Sequence, residues 1–124
     1  MNRLIGLLVM LVRVDGEYNH PLIYITENGA GFGEEDDKLV DGSVHDKLRQ
    51  DFLKQHIEEA NHAIQAGVNL KGYFIWFCFD NFEWTSGFKR RFGLIYVNFN
   101  TQERTWKDSA FFYQSCIKNN GLIF

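Results

Sequence analysis

The chain has 124 residues, 45% of them hydrophobic and 16% aromatic, so it is neither disordered nor long enough for more than one domain. A net charge of −3 gives no electrostatic reason to expect a nucleic-acid partner. The two cysteines, Cys78 and Cys116, lack zinc or redox spacing and read as reduced thiols of a cytoplasmic protein.

"MNRLIGLLVMLV" has the basic residue and apolar run of a signal peptide. Arg13, Val14 and Asp15 then follow where small residues would mark a cleavage site. The run is too short to span a bilayer, and no membrane partner is expected. Leu4, Leu7, Leu8 and Leu11 fall on one helical face, which predicts an amphipathic helix ending near Gly16. Leu22 to Thr26 is a continuous apolar and β-branched run, the pattern of a strand covered on both faces. A loop is expected from Asn28 to Gly42, with Glu34, Glu35, Asp36 and Asp37 solvated at its surface.

A helix is predicted from Val44 to Ala66, with Leu53, Ile57, Ala60 and Ile64 as its core face, Val68 just beyond it, and Gly67 as its C-terminal cap. "GYFIWFCF", residues 72 to 79, is a second continuous apolar strand, and "FGLIYVNF", residues 92 to 99, a shorter strand-like stretch. A last helix is expected from Lys107 or Asp108 to before Gly121, with Ala110, Phe111, Cys116 and Ile117 in the core. Alternating strands and helices imply parallel βαβ units, with the first two strands as neighbours.

Both strong strands end in chemistry. The first ends at Glu27; the second runs into "DNFEW", residues 80 to 84. In α/β barrels the C-terminal strand ends carry the active site. Aromatic faces beside carboxylates suit a sugar, whose C–H faces pack on indole and whose hydroxyls donate to carboxylate oxygens. Trp76 taken alone could equally be a core-packing residue.

"IYITENG", "GYFIWFCFDNFEW", "RRFGLIYVNF" and "TQERTWKDSAFFYQSCIKNNG" occur in an order and at spacings that closely resemble the β-glucosidases of glycoside hydrolase family 1. The resemblance runs from about Tyr18 to Gly121, while the first 17 residues match poorly. It implies an α/β fold, the C-terminal part of a (β/α)8 TIM barrel: about two barrel strands with their helices, in an incomplete barrel. It implies retaining hydrolysis of β-glucosides without a cofactor. Glu27 in "TENG" is then the nucleophile. Trp76 forms a platform under the glycone, Glu83 and Trp84 grip its hydroxyls, and Phe92 lines the same pocket. A carboxylate at Glu83 would repel a 6-phosphate, favouring plain glycosides.

The family's acid/base lies in an upstream Asn-Glu-Pro motif. The single proline here, Pro21, stands in "NHPL", so these residues carry half of the catalytic pair. Phe77 stands where the family usually has Ser or Thr, Asn98 where it has Asp, and Trp106 where it has Pro. The expectation is a truncated gene product, or an engineered or mispredicted fragment, inactive alone. The alternatives are half of a split enzyme, a non-catalytic sugar-binding module, or a self-associating module. Unpaired strand edges predict a homo-oligomer or docking to a complementing N-terminal half-barrel.

Overall fold

A computed structural model describes residues 6–122. Helix α1 spans Gly6–Glu17, one residue past Gly16, and buries Leu7 and Leu11, with Leu8 packed at the edge of the same cluster. Leu4, expected on that face, lies outside the described residues. The first turn of α1 is held from outside: one carboxylate oxygen of buried Glu59 accepts the Leu7 and Leu8 N–H groups at 2.7 and 3.1 Å. These are two of the four donors that a helix start leaves unpaired.

Strand β1 (Ile23–Asn28) is followed by a hairpin of β2 (Leu39–Val40) and β3 (Ser43–Val44). Asp41 and Gly42 both take positive φ, 49° and 77°, as the tight hairpin turn requires. Helix α2 (Lys47–Gln65) starts three residues later than expected because Val44 belongs to β3. Its end matches expectation: Gly67 has φ +99°, and Ala66, Gly67 and Val68 return N–H bonds to the last turn.

Strand β4 (Leu70–Ile75) pairs in parallel with β1, as predicted, with Ile23 opposite Leu70 and Asn28 opposite Ile75. The expected strand over 72 to 79 is thus shifted and cut short. After Ile75 the backbone changes partners. Phe77 N–H donates to Phe92 O, Leu94 N–H to Phe77 O, Ile95 N–H to Cys78 O, and Asp80 N–H to Ile95 O. The 92–99 stretch is divided for the same reason. Its first half pairs with 77–80, and only Ile95–Val97 forms β5, antiparallel to β6 (Arg104–Trp106). Helix α3 (Asp108–Asn119) closes the described chain, as expected.

The apolar core joins α1, α2 and the outer face of the two-stranded sheet through Leu7, Leu11, Ile25, Ala60, Ala63, Val68 and Leu70. The expectation that β1 is covered on both faces is not met. Ile25 is its one buried residue, while Tyr24 is 52% and Phe74 of β4 56% exposed. Leu53, Ala60, Val68, Ala110 and Cys116 are buried as predicted. Ile57 is half-buried, and Ile64, Phe111 and Ile117 are exposed. The buried stripe of α2 runs instead through Arg49, Leu53, Glu59, Ala60 and Ala63. Ile64 and Ile117 line a groove of about 870 Å³ between α2 and α3, with Leu70 and Tyr73 also in its wall.

The acidic loop also differs from expectation. Glu34 and Glu35 are exposed, but Asp36 accepts the Leu48 and Arg49 N–H groups and so caps α2 from a distance. Asp37 is buried at the centre of an ionic cluster. Arg49 meets it with both terminal nitrogens, at 2.6 and 2.9 Å, and Lys107 Nζ lies 2.5 Å away. Lys107 also reaches Asp80 at 2.8 Å, Arg91 pairs with Asp80 at 2.6 Å, and Arg49 with Asp46 at 2.8 Å. Three acids balance three bases, so charges this deep are matched. Burial pushes the Asp46 carboxyl up, against bonds from Ser109 and Arg49 that pull it down. Burial pushes the Lys107 ammonium down, with Arg49 adding to the shift and Asp80 and Asp37 opposing it.

Candidate active site

Parallel pairing puts the C-terminal ends of β1 and β4 at one edge of the sheet. Glu27 is the penultimate residue of β1, and its exposed carboxylate takes no hydrogen bond from the described residues. The chain around it is pinned. Trp76 N–H donates to Asn28 O at 2.9 Å, and the Tyr73 hydroxyl donates to Asn28 Oδ1. Gly29 packs on the backbone of Trp76 so closely that an added Cβ would lie 1.8 Å from its carbonyl oxygen. Glu27 therefore stands on a fixed strand end although its own side chain is unrestrained.

Trp76 directly follows β4. Its indole N–H donates to Glu83 Oε2 at 3.3 Å, so platform and carboxylate meet. Glu83 is half-buried and enters a 3₁₀ turn, Trp84–Ser86, closed by the Glu83 N–H bond to Gly87 O. Phe92 joins from the other side. Its ring lies against Gly31 in the loop after Glu27, where an added Cβ would come within 2.2 Å of it. Trp84 is not drawn in; its side chain is 81% exposed. The structure thus brings Trp76 together with Glu83, sets Phe92 against the Glu27 loop, and leaves Trp84 standing out.

Asn28, Gly29, Gly31, Asp80 and Arg91 also belong to this arrangement, although sequence reasoning did not single them out. The two glycines had a signal: paired glycines just past a strand end mark close backbone approach. Asp80 and Arg91 had none, because their role depends on each other. Among the described residues no group of His, Cys, Asp and Glu is placed to hold a metal ion, and no helix is long and apolar enough to cross a membrane.

This arrangement offers an accessible carboxylate at the same end of the sheet as an indole–carboxylate pair, which suits attack on and recognition of a polyhydroxylated ring. Comparison with known proteins gives the family. The family model for glycosyl hydrolase family 1 matches residues 1–122, a stretch that includes α1. Beta-glucosidase A of Thermotoga maritima is 53% identical over 117 residues, which are 94% of this chain and 26% of the relative. The 1,4-beta-D-glucan glucohydrolase of Thermotoga neapolitana is 52% identical over 118 residues, again 26% of its length. A solved family 1 β-glucosidase from Thermotoga maritima superimposes with a TM-score of 0.91 at 51% identity, covering 97% of this chain and 27% of the other. The same enzyme has been solved with castanospermine and with deoxynojirimycin. The chain therefore spans about a quarter of the length of these relatives, and its strands form part of a (β/α)8 barrel that does not close among the described residues. With strands, helices and both strand-end motifs all inside the matched stretch, the chain belongs to glycosyl hydrolase family 1.

Proposed function

We propose that this chain supplies the nucleophile side of a retaining β-glucosidase site. The observation that carries the proposal is the exposed Glu27 at the end of β1, at the same sheet edge as the Trp76–Glu83 pair. A Glu27 carboxylate oxygen attacks the anomeric carbon, the bond to the aglycone oxygen breaks, and that oxygen takes a proton from an acid/base carboxyl. The same carboxyl then removes a proton from water, which attacks the anomeric carbon and releases Glu27. Retention needs the two carboxyls about 5 to 5.5 Å apart. Trp76 supports the sugar ring, Glu83 and Trp84 bind its hydroxyls, and Phe92 walls the pocket. The carboxylate at Glu83 disfavours 6-phosphoglycosides.

By resemblance to the family, the acid/base belongs to upstream barrel strands, so the 124 residues alone are expected to lack appreciable activity. General acid/base assistance is worth roughly 10²–10⁴ in rate. The open sheet face with Tyr24 and Phe74, and the outer edges of β1 and β4, favour self-association or docking to a complementing half-barrel.

The test pairs this chain with the upstream three-quarters of the Thermotoga maritima relative. The paired protein should hydrolyse an aryl β-glucoside, and E27Q should abolish turnover. A 2-fluoroglucoside with a good leaving group should lose its aglycone and leave the mass of its 2-deoxy-2-fluoroglucosyl group on the peptide containing Glu27. Turnover that survives E27Q, or a label on another residue, would refute the assignment.

A further inference from the structure

Asp80 immediately precedes the sugar-gripping stretch, yet its side chain points away from solvent and is fully buried. Three of its four partners lie in one segment, residues 91–97, and the fourth is Lys107. Oδ1 accepts the Gly93 N–H at 3.0 Å and the Lys107 ammonium at 2.8 Å. Oδ2 accepts Arg91 Nη1 at 2.6 Å and the Val97 N–H at 3.4 Å. Both neighbours of Phe92 are therefore held by one carboxylate. Arg91 is further fixed by its bond to Val97 O and by the rings of Tyr96 and Phe99, each 4.4 Å from its guanidinium carbon. Gly93 fits so tightly that a Cβ there would come 2.2 Å from Asp80 N. Between these two clamped residues, Phe92 O accepts the Phe77 N–H, one peptide beyond Trp76.

We infer that Asp80 is a positioning residue: by gripping Arg91 and Gly93 it fixes the Phe92 wall and, through the Phe92–Phe77 bond, the orientation of the Trp76 platform. This rests on the sugar-binding roles proposed for Phe92 and Trp76. Asp80 touches no sugar in this scheme; it acts through the backbone of its partners. The far side of the ionic cluster, where Ser109 bonds Asp46, touches neither Phe92 nor Gly93 and reaches Arg91 only by way of Arg49, which bonds Asp46 and donates to Arg91 O at 2.6 Å, so Ser109 provides the control.

The test compares D80N with S109A. A second variant of the clamp, R91K, keeps the positive charge and carries the test if D80N does not fold. In the 124-residue chain, amide hydrogen exchange at Phe77 and Gly93 should rise about tenfold or more in the clamp variants and stay within about twofold in S109A. In the chain paired with the upstream barrel portion, the clamp variants should weaken deoxynojirimycin binding, read by tryptophan fluorescence, about tenfold. They should raise KM more than they lower kcat, because a displaced wall loses ground-state and transition-state binding alike. Unchanged exchange at Phe77 and Gly93 overturns the clamp whatever the activity. An active wild-type pair in which D80N and R91K behave like S109A overturns the positioning role alone. A wild-type pair that neither binds nor hydrolyses glucosides overturns the β-glucosidase reading and the role of Asp80 in it.

Discussion

Gly29→Ala tests whether the two strand ends meet as closely as described. The new Cβ would sit 1.8 Å from Trp76 O and 2.8 Å from Trp76 C, where ordinary contact begins near 3.4 Å. The nearest obstacle is backbone rather than a side chain that can swing aside, so one strand end must yield by roughly 1.6 Å. Overpacking of this kind costs about 1–3 kcal/mol. The displacement also breaks the Trp76 N–H bond to Asn28 O, worth about 1 kcal/mol net. The expected loss is therefore about 2–4 kcal/mol, read from urea unfolding at matched protein concentration. Tryptophan emission should shift as Trp76 moves. In the paired enzyme, turnover should fall with it, since Glu27 and Trp76 lose their common anchor. A Gly29→Ala variant within about 0.5 kcal/mol of wild type would show that the strand ends are looser than this geometry requires.

Three further outcomes are expected. Lys107→Met removes a cation shared by Asp37 and Asp80, leaves excess buried negative charge, and should cost about 3–5 kcal/mol by urea unfolding; a loss under about 1 kcal/mol would mean that Arg49 and Arg91 suffice. Burial, with Tyr113 and Cys116 adding, pushes the Tyr73 hydroxyl above its usual value near 10. The unfolded chain then releases that proton first, so the contribution of Tyr73 is intact below about pH 10 and is lost as pH rises further. Tyr73→Phe should flatten the fall of the urea midpoint between about pH 9 and pH 11, and an unchanged slope would exclude Tyr73 as its source. Light scattering at micromolar concentration should find the lone chain associated through its open sheet; a stable, cooperatively unfolding monomer would contradict this.

The order of elements was readable because each is marked locally. Leucine spacing shows α1, Gly67 ends α2, and β-branched runs give β1 and β4. Glu27 was visible because a carboxylate is costly to bury, so one that closes an apolar run must stand at the mouth of the sheet. What failed depends on distant partners. Asp37 reads as one solvated acid among four, since its cations lie 12 and 70 residues further along. The end of β4 could not be located, because the change of partner after Ile75 is set by residues 92–95. A continuous apolar run looks alike whether one or two faces are covered, which is why the exposure of Tyr24 and Phe74 went unseen. The exposure of Trp84, which takes a positive φ of 41° in the turn after Glu83, was likewise not legible from its nearness to Trp76 and Glu83 in sequence.

The ionic cluster also bears on the order in which this chain assembles. Helix α2 and its flanking strands β1 and β4 close through short and medium-range loops, but Asp37 and Lys107 are separated by 70 residues. No member of the cluster gains from leaving water before its counter-charges arrive, so the six side chains are expected to dock together, after the main barrier has been crossed. Interactions absent from the transition state slow unfolding rather than speed folding. In a denaturant-dependent kinetic series, Lys107→Met should therefore act through faster unfolding and leave the refolding limb nearly in place. A matching drop in refolding rate would put the cluster in the folding nucleus instead.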